Sequence, residues 1–116
     1  MKDRYTTRSP RKQLLFYLEI IDQKTHELLG HLGDISKDGI MILAEKPIPF
    51  ESVKAISIKL PDFEEFTKKS IEVQVELRWV KPDINPSLHC IGCHFVKLNK
   101  EDLPVIEQIQ EVIGFA

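Results

Sequence analysis

The stretch that decides the fold is IEVQVELRWV, residues 71–80, where apolar and polar side chains alternate at every position up to Arg78. Successive side chains of a β-strand point to opposite faces of the sheet. The polar residues Glu72, Gln74, Glu76 and Arg78 would therefore face solvent. The pattern predicts a half-buried strand whose inward face carries Ile71, Val73, Val75, Leu77 and Trp79.

Similar apolar or alternating segments precede and follow this stretch. Short turns and proline-containing breaks separate them, as in EKPIPFES and KPDINPS. Segments of this length, rich in isoleucine, valine and aromatic residues, are typical of strands. The further strands are predicted at residues 13–21, 26–36, 39–44, 53–60 and 88–98.

The periodicity changes near the C-terminus. In NKEDLPVIEQIQEVIGFA, residues 99–116, Leu103, Ile106, Ile109 and Ile113 recur at helical spacing. Six short strands followed by one amphipathic helix indicate a mainly β fold. We expect a small six-stranded antiparallel barrel with one C-terminal α-helix packed on it.

Length and composition favour a single soluble domain. The chain has 116 residues, of which 42% are hydrophobic and 29% charged, as in ordinary globular proteins. No stretch approaches the ~18 apolar residues of a spanning helix, so we expect no membrane span. The N-terminus lacks the apolar core of a secretory signal. These features predict a cytoplasmic protein with reduced cysteines.

Charge is distributed unevenly along the chain. The net charge is −2, yet residues 1–12 hold five cations against Asp3 alone. Arg4, Arg8 and Arg11 are three of the four arginines, and the flat guanidinium fork suits phosphate and guanine. We expect a flexible basic arm at residues 1–12 and a barrel domain at residues 13–116. A solvated tail without a ligand is the alternative.

The segment HCIGCH, residues 89–94, contains a C-x-x-C-H pattern, which can attach haem or contribute to a metal site. On a strand, however, Cys90 and Cys93 face opposite sides of the sheet. The chain offers no second cluster of ligands for a tetrahedral site. We therefore expect two strand cysteines, no metal and no cofactor. A redox or metal protein built on these thiols is an alternative.

Two further motifs occur in order. RYTTR, residues 4–8, has the form R-x-x-x-R, and DISKDG, residues 34–39, has the form D-x-S-x-x-G. Twenty-five residues lie between Arg8 and Asp34. This arrangement resembles the signature of the PilZ domain, a bacterial receptor module for cyclic di-GMP. The resemblance extends over nearly the whole chain, and Gly92, Phe95 and Val96 match the family's last strand.

The resemblance implies a role for each motif residue. Arg4 and Arg8 would grip phosphate and guanine, because an Arg fork matches both the O6/N7 edge and phosphate oxygens. Asp34 and Ser36 would hold a base edge. Gly39 would shape the loop, either through a positive φ or through a close backbone approach. Read alone, Asp38-Gly39 is also an ordinary turn signal between strands.

The function implied by the resemblance is that of a receptor rather than an enzyme. No nucleophile–base–acid constellation is present, so no catalytic residue is predicted. The PilZ-type barrel would bind cyclic di-GMP, order its N-terminal arm and signal to a downstream protein. One alternative is a PilZ-like interaction module with weak or no nucleotide binding. Binding of DNA through the arm is not expected, because the rest of the chain is acidic.

Overall fold

The computed structural model describes residues 18–48, 53–64 and 66–113, which form a closed antiparallel barrel and one helix. Around the barrel the strand order is β1-β2-β3-β6-β5-β4, and β4 closes on β1. The six-stranded barrel with a C-terminal helix is confirmed. Its elements are β1 Glu19–Asp22, β2 Leu28–Ile35, β3 Gly39–Ala44, β4 Lys54–Lys59, β5 Ser70–Pro82, β6 His89–Lys97, a 3₁₀ turn Lys100–Asp102 and α1 Leu103–Ile113.

Isoleucine dominates the barrel interior. β-branched side chains pack well on a pleated, half-buried surface, and the alternation read from the sequence places them inward. In β4, Ile56 and Ile58 are fully buried between exposed or half-buried neighbours. In β5 the predicted inward face is buried from Ile71 to Leu77.

The helix α1 covers one end of the barrel. Ile106 and Ile109 join the barrel core, as their spacing predicts. Gln110 Nε2 donates a hydrogen bond of 3.0 Å to the carbonyl oxygen of Ile35 at the end of β2. The buried Asp102 accepts a 2.7 Å bond from Lys68. No helix among the described residues is long and apolar enough to cross a membrane.

The prediction that Trp79 is a core residue is wrong. Strand β5 contains a β-bulge, because Leu77 pairs with Cys93 whereas Trp79 pairs with the adjacent Gly92. The extra residue, Arg78, reverses the alternation beyond Leu77. Trp79 therefore lies on the outer face of the barrel with 41% of its surface exposed.

Within the described residues the first strand begins at Glu19. The predicted start at residue 13 lies outside the described residues and stays a prediction. Residues 1–17 lie outside the described residues, and with them Arg4 and Arg8. The division into an arm at 1–12 and a domain at 13–116 therefore stays a prediction.

An ion pair ties β1 to β4 at the barrel wall. Lys54 Nζ lies 2.9 Å from Asp22 Oδ2, and both side chains are largely buried. The hydrogen bond from Lys54, aided by the amides of Lys24 and Thr25, lowers the pKa of Asp22 from 3.8 to about 2 against the opposing effect of burial.

Replacing Asp22 by Asn is expected to cost about 2 kcal/mol of unfolding free energy at neutral pH. Because the folded-state pKa is depressed, this stabilisation is present above the unfolded pKa of 3.8 and is lost as pH falls towards about 2. Urea unfolding of both proteins as a function of pH measures the difference. If the unfolding free energies of the two proteins differed by the same amount at pH 7 and at pH 2, the stabilising role of the Asp22 carboxylate would be contradicted.

Candidate functional site

A cavity of about 310 Å³ opens on the outer face of β2, β3, β5 and β6. It brings together the three described motif residues, Asp34, Ser36 and Gly39. Trp79, for which the sequence favoured the core over the site, and His94, which it assigned only to a strand, also line it. The remaining lining residues are Ile35, Asp38, Ile40, Met41, Arg78, Gly92 and Cys93.

One cross-strand row sets the width of the cavity. Asp34 pairs with Met41, Met41 with Gly92, and Gly92 with Trp79. Paired residues point to the same face, and three strand spacings separate the ends of the row by ~14 Å. The carboxylate of Asp34 and the indole of Trp79 therefore form opposite walls, with small or flexible residues between them.

Two bulges turn these walls outward. In β2, Leu32 pairs with Ile42 but Asp34 pairs with the adjacent Met41, so one residue is extra there. Without this bulge Asp34 would share the inward face of Leu32. The bulge in β5 likewise turns Trp79 from the inward to the outward face. Each bulge therefore places one side chain in the cavity wall rather than in the core.

The turn between β2 and β3 is fixed by its own hydrogen bonds. Ser36 donates its amide to the carbonyl of Gly39 at 2.9 Å, and Asp38 donates its amide to Ser36 Oγ at 3.2 Å. The carbonyl of Asp38 accepts from the amide of Phe95 at 2.8 Å. Ile35 donates its amide to Asp34 Oδ1 at 2.8 Å, and the exposed carboxylate keeps further acceptor positions. The acid and the hydroxyl are thus held beside one another.

Gly39 is required by a close approach of two backbones. It pairs with His94, and a side chain at this position would collide with the carbonyl oxygen of Cys93. Its backbone is not left-handed. Of the two readings of the sequence, close approach is the one that applies.

The position of the Trp79 indole requires a second glycine, Gly92. Its indole packs against Gly92 so closely that a Cβ there would collide with the ring. The ammonium of Lys81 lies 5.1 Å from the ring centroid, within cation–π range. A glycine inside a predicted strand is a sign of such close packing. Gly92 was therefore the sequence feature from which a large side chain packed on the outer face of β6 could have been predicted.

The described walls of the cavity carry more negative than positive charge. Asp34 and Asp38 contribute exposed carboxylates. Among the described lining residues Arg78 is the only Lys or Arg, and its Nε is 3.2 Å from Glu76 Oε1. A ligand with two phosphates would need additional cations.

The described chain begins close to the turn that carries the D-x-S-x-x-G motif. Strand β1 runs antiparallel to β2 with Glu19 opposite His31, and Leu32 donates its amide to the carbonyl of Leu18 at 2.8 Å. Leu18, the first described residue, therefore lies near the end of β2 that carries Asp34. Arg8 is ten residues earlier, and ten residues can span ~33 Å.

The two cysteines are strand residues on opposite faces. Cys93 is buried beside Ile40, and burial raises the pKa of its thiol to about 11. Cys90 is half-buried, and burial and a hydrogen bond to Asp83 raise its pKa. Both thiols therefore stay protonated at neutral pH. The described residues contain no group of three or more His, Cys, Asp or Glu arranged to hold a metal ion.

Comparisons with known proteins agree with this architecture. The family model of the PilZ domain matches residues 6–114, a range that includes Arg8, Asp34, Ser36 and Gly39 but begins just after Arg4. A comparison with curated proteins finds no match.

Among solved structures, the chain is similar to the Bacillus subtilis inhibitor of motility, MotI/DgrA, with a TM-score of 0.64 and 19% sequence identity. The alignment covers 78% of this chain and 44% of that one. This chain therefore corresponds to less than half of that protein, and the likeness is one of fold.

Proposed function

The chain belongs to the PilZ domain family, and from this premise we propose that it is a receptor for cyclic di-GMP. The observation that carries the proposal is that Asp34, Ser36 and Gly39 line a single cavity. This cavity lies near the end of β2 beside which Leu18 lies, and Leu18 follows Arg8 by ten residues. The proposed ligand site consists of Arg4, Arg8, Asp34, Ser36 and Gly39.

In this proposal one guanine lies between the walls formed by Asp34 and Trp79. A carboxylate accepts hydrogen bonds from the N1–H and N2–H of guanine, and the Ser36 hydroxyl either donates or accepts. The indole of Trp79 offers a face for stacking, which contributes ~1–3 kcal/mol per base in comparable sites. The backbone-fixed turn holds the acid in position before the ligand arrives.

The phosphates would be bound by the N-terminal arm. Arg4 and Arg8 supply two guanidinium forks, whereas the described walls offer only that of Arg78, which is paired with Glu76. Arg11 and Lys12 add electrostatic attraction. Binding would order residues 1–12 across the cavity mouth, and this new surface would signal to a downstream protein. The role is that of a non-enzymatic receptor with no cofactor other than its ligand.

Titration of the full chain with cyclic di-GMP and with cyclic di-AMP tests this proposal. Calorimetry should give a Kd of about 1 μM or tighter for cyclic di-GMP. Binding of cyclic di-AMP should be at least about 100-fold weaker, because adenine has no N1–H or N2–H to donate to Asp34. Trp79 is the only tryptophan in the chain, so its fluorescence should change as the cavity fills.

Two results would count against the receptor role. Equal affinity for both dinucleotides would show that Asp34 does not read the base. Absence of binding at millimolar ligand would favour the alternative, a PilZ-like interaction module with weak or no nucleotide binding. In that case, hydrogen exchange of residues 1–12 should be unchanged by cyclic di-GMP, whereas the receptor role requires increased protection.

A further inference from the structure

The loop between β5 and β6 presents a fully exposed isoleucine on a well-fixed backbone. Ile84 has no contact that shields it from solvent in the described structure. Asp83 donates its amide to the carbonyl of Leu88 at 3.1 Å, and Asn85 Oδ1 accepts from the amide and the hydroxyl of Ser87 at 3.0 and 2.7 Å. Prolines precede and follow the loop tip. The loop is therefore pre-organised to present an apolar side chain, and we call Ile84 the knob.

A second cavity lies beside this loop on the outer face of β2 and β3. It measures about 300 Å³ and is lined by four leucines, Leu28, Leu29, Leu43 and Leu88. Leu28 is 52% exposed at its margin. We call this space the leucine cavity. An apolar space of this kind can accept an aliphatic side chain.

The charges around the knob and around the leucine cavity are complementary. Asp83 directly precedes the knob in the chain, and Lys46 lines the cavity together with Glu45. The knob thus carries an acid and the cavity a base. Two copies brought together could place Asp83 against Lys46 of the other copy.

We propose that the leucine cavity is occupied by Ile84 of a second copy of this chain, in a two-fold symmetric dimer. Leu88 belongs both to the loop of the knob and to the wall of the cavity, so the two features are neighbours on one surface. A self-complementary surface of this kind closes after two copies. A knob and a cavity on opposite sides of the molecule would instead produce an open chain of copies.

Sedimentation velocity of the full chain between about 1 and 500 μM tests the dimer. We expect a reversible monomer–dimer equilibrium that Ile84→Asp shifts towards monomer, with the dissociation constant raised at least about tenfold. Val96→Asp is the matched control, because Val96 is also exposed, at 52%, but lies on β6 away from the loop. It should leave the equilibrium unchanged.

A charge-reversal cycle tests the orientation of the two copies. Lys46→Glu and Asp83→Lys should each weaken the dimer, and the two changes together should restore it. The proposal is overturned by a chain that stays monomeric throughout the range, by a dimer that Ile84→Asp leaves intact, or by assemblies that keep growing with concentration.

Discussion

Replacing Arg4 and Arg8 together with alanine is expected to remove cyclic di-GMP binding while the barrel stays folded. The described cavity walls offer two carboxylates and one guanidinium that is already paired with Glu76. They cannot by themselves compensate the two charges of the ligand. Hydrogen bonds to charged groups contribute ~1.5–3 kcal/mol each, so losing both arginines should weaken binding at least about 100-fold. Calorimetric titration of the double variant measures the loss.

The matched control is Arg11→Ala with Lys12→Ala. It removes the same charge from the same arm but leaves the R-x-x-x-R motif intact. If the motif arginines contact the ligand, this control should lose only a few-fold in affinity, and the loss should shrink as salt is raised. Equal weakening by both double variants would show that the arm acts through general attraction, and the specific roles of Arg4 and Arg8 would be wrong.

The folding of the motif variant can be checked separately. The described members of the buried core lie between Leu18 and Ile109 and pack against one another. The thermal midpoint without ligand should therefore match that of the wild type. A large drop in the midpoint would mean that the arm contributes to the fold, and the loss of binding would then need another explanation.

The barrel could be predicted from the sequence because each strand and the helix show their own pattern of apolar residues within a few consecutive positions. Alternation in β4 and in β5 up to Leu77 records burial on one face, and the change to a helical period at Leu103 marks α1. The two β-bulges produce no comparable pattern in the sequence of a single strand. Arg78 is an extra residue only in relation to the pairing of β5 with β6. The alternating pattern of the sequence continues past Arg78, and it therefore predicted Trp79 to be a core residue.

The candidate site was predictable only in part for the same reason. Asp34, Ser36 and Gly39 lie within six residues, and their motif brought them together on one turn. Trp79 and His94 reach the cavity through the pairing of β3 with β6 and of β6 with β5, about forty and sixty residues later in the chain. Long-range pairing of this kind cannot be read from the spacing of residues along one strand.

Gly39→Ala is expected to have the largest effect on stability of any single change at the site. The added Cβ would meet the backbone carbonyl of Cys93, which cannot move without separating β3 from β6. Overpacking against a fixed backbone costs about 3 kcal/mol. Because Gly39 also closes the turn that holds Ser36, cyclic di-GMP binding should fall as well. Urea unfolding and titration of the same protein measure both effects.

Gly33→Ala provides the comparison that isolates the cause. Gly33 also lies next to the cavity turn and also lacks a left-handed backbone, but its Cβ would meet Met41 Cε at 2.8 Å and Leu43 Cγ at 3.0 Å. Both are side-chain atoms that can rotate away, so we expect a cost of about 1 kcal/mol or less. If the two alanine variants were equally stable, the close contact between β3 and β6 would not be what requires glycine at position 39. The fixed shape of the turn would then have to come from the hydrogen bonds of Ser36 and Asp38 alone.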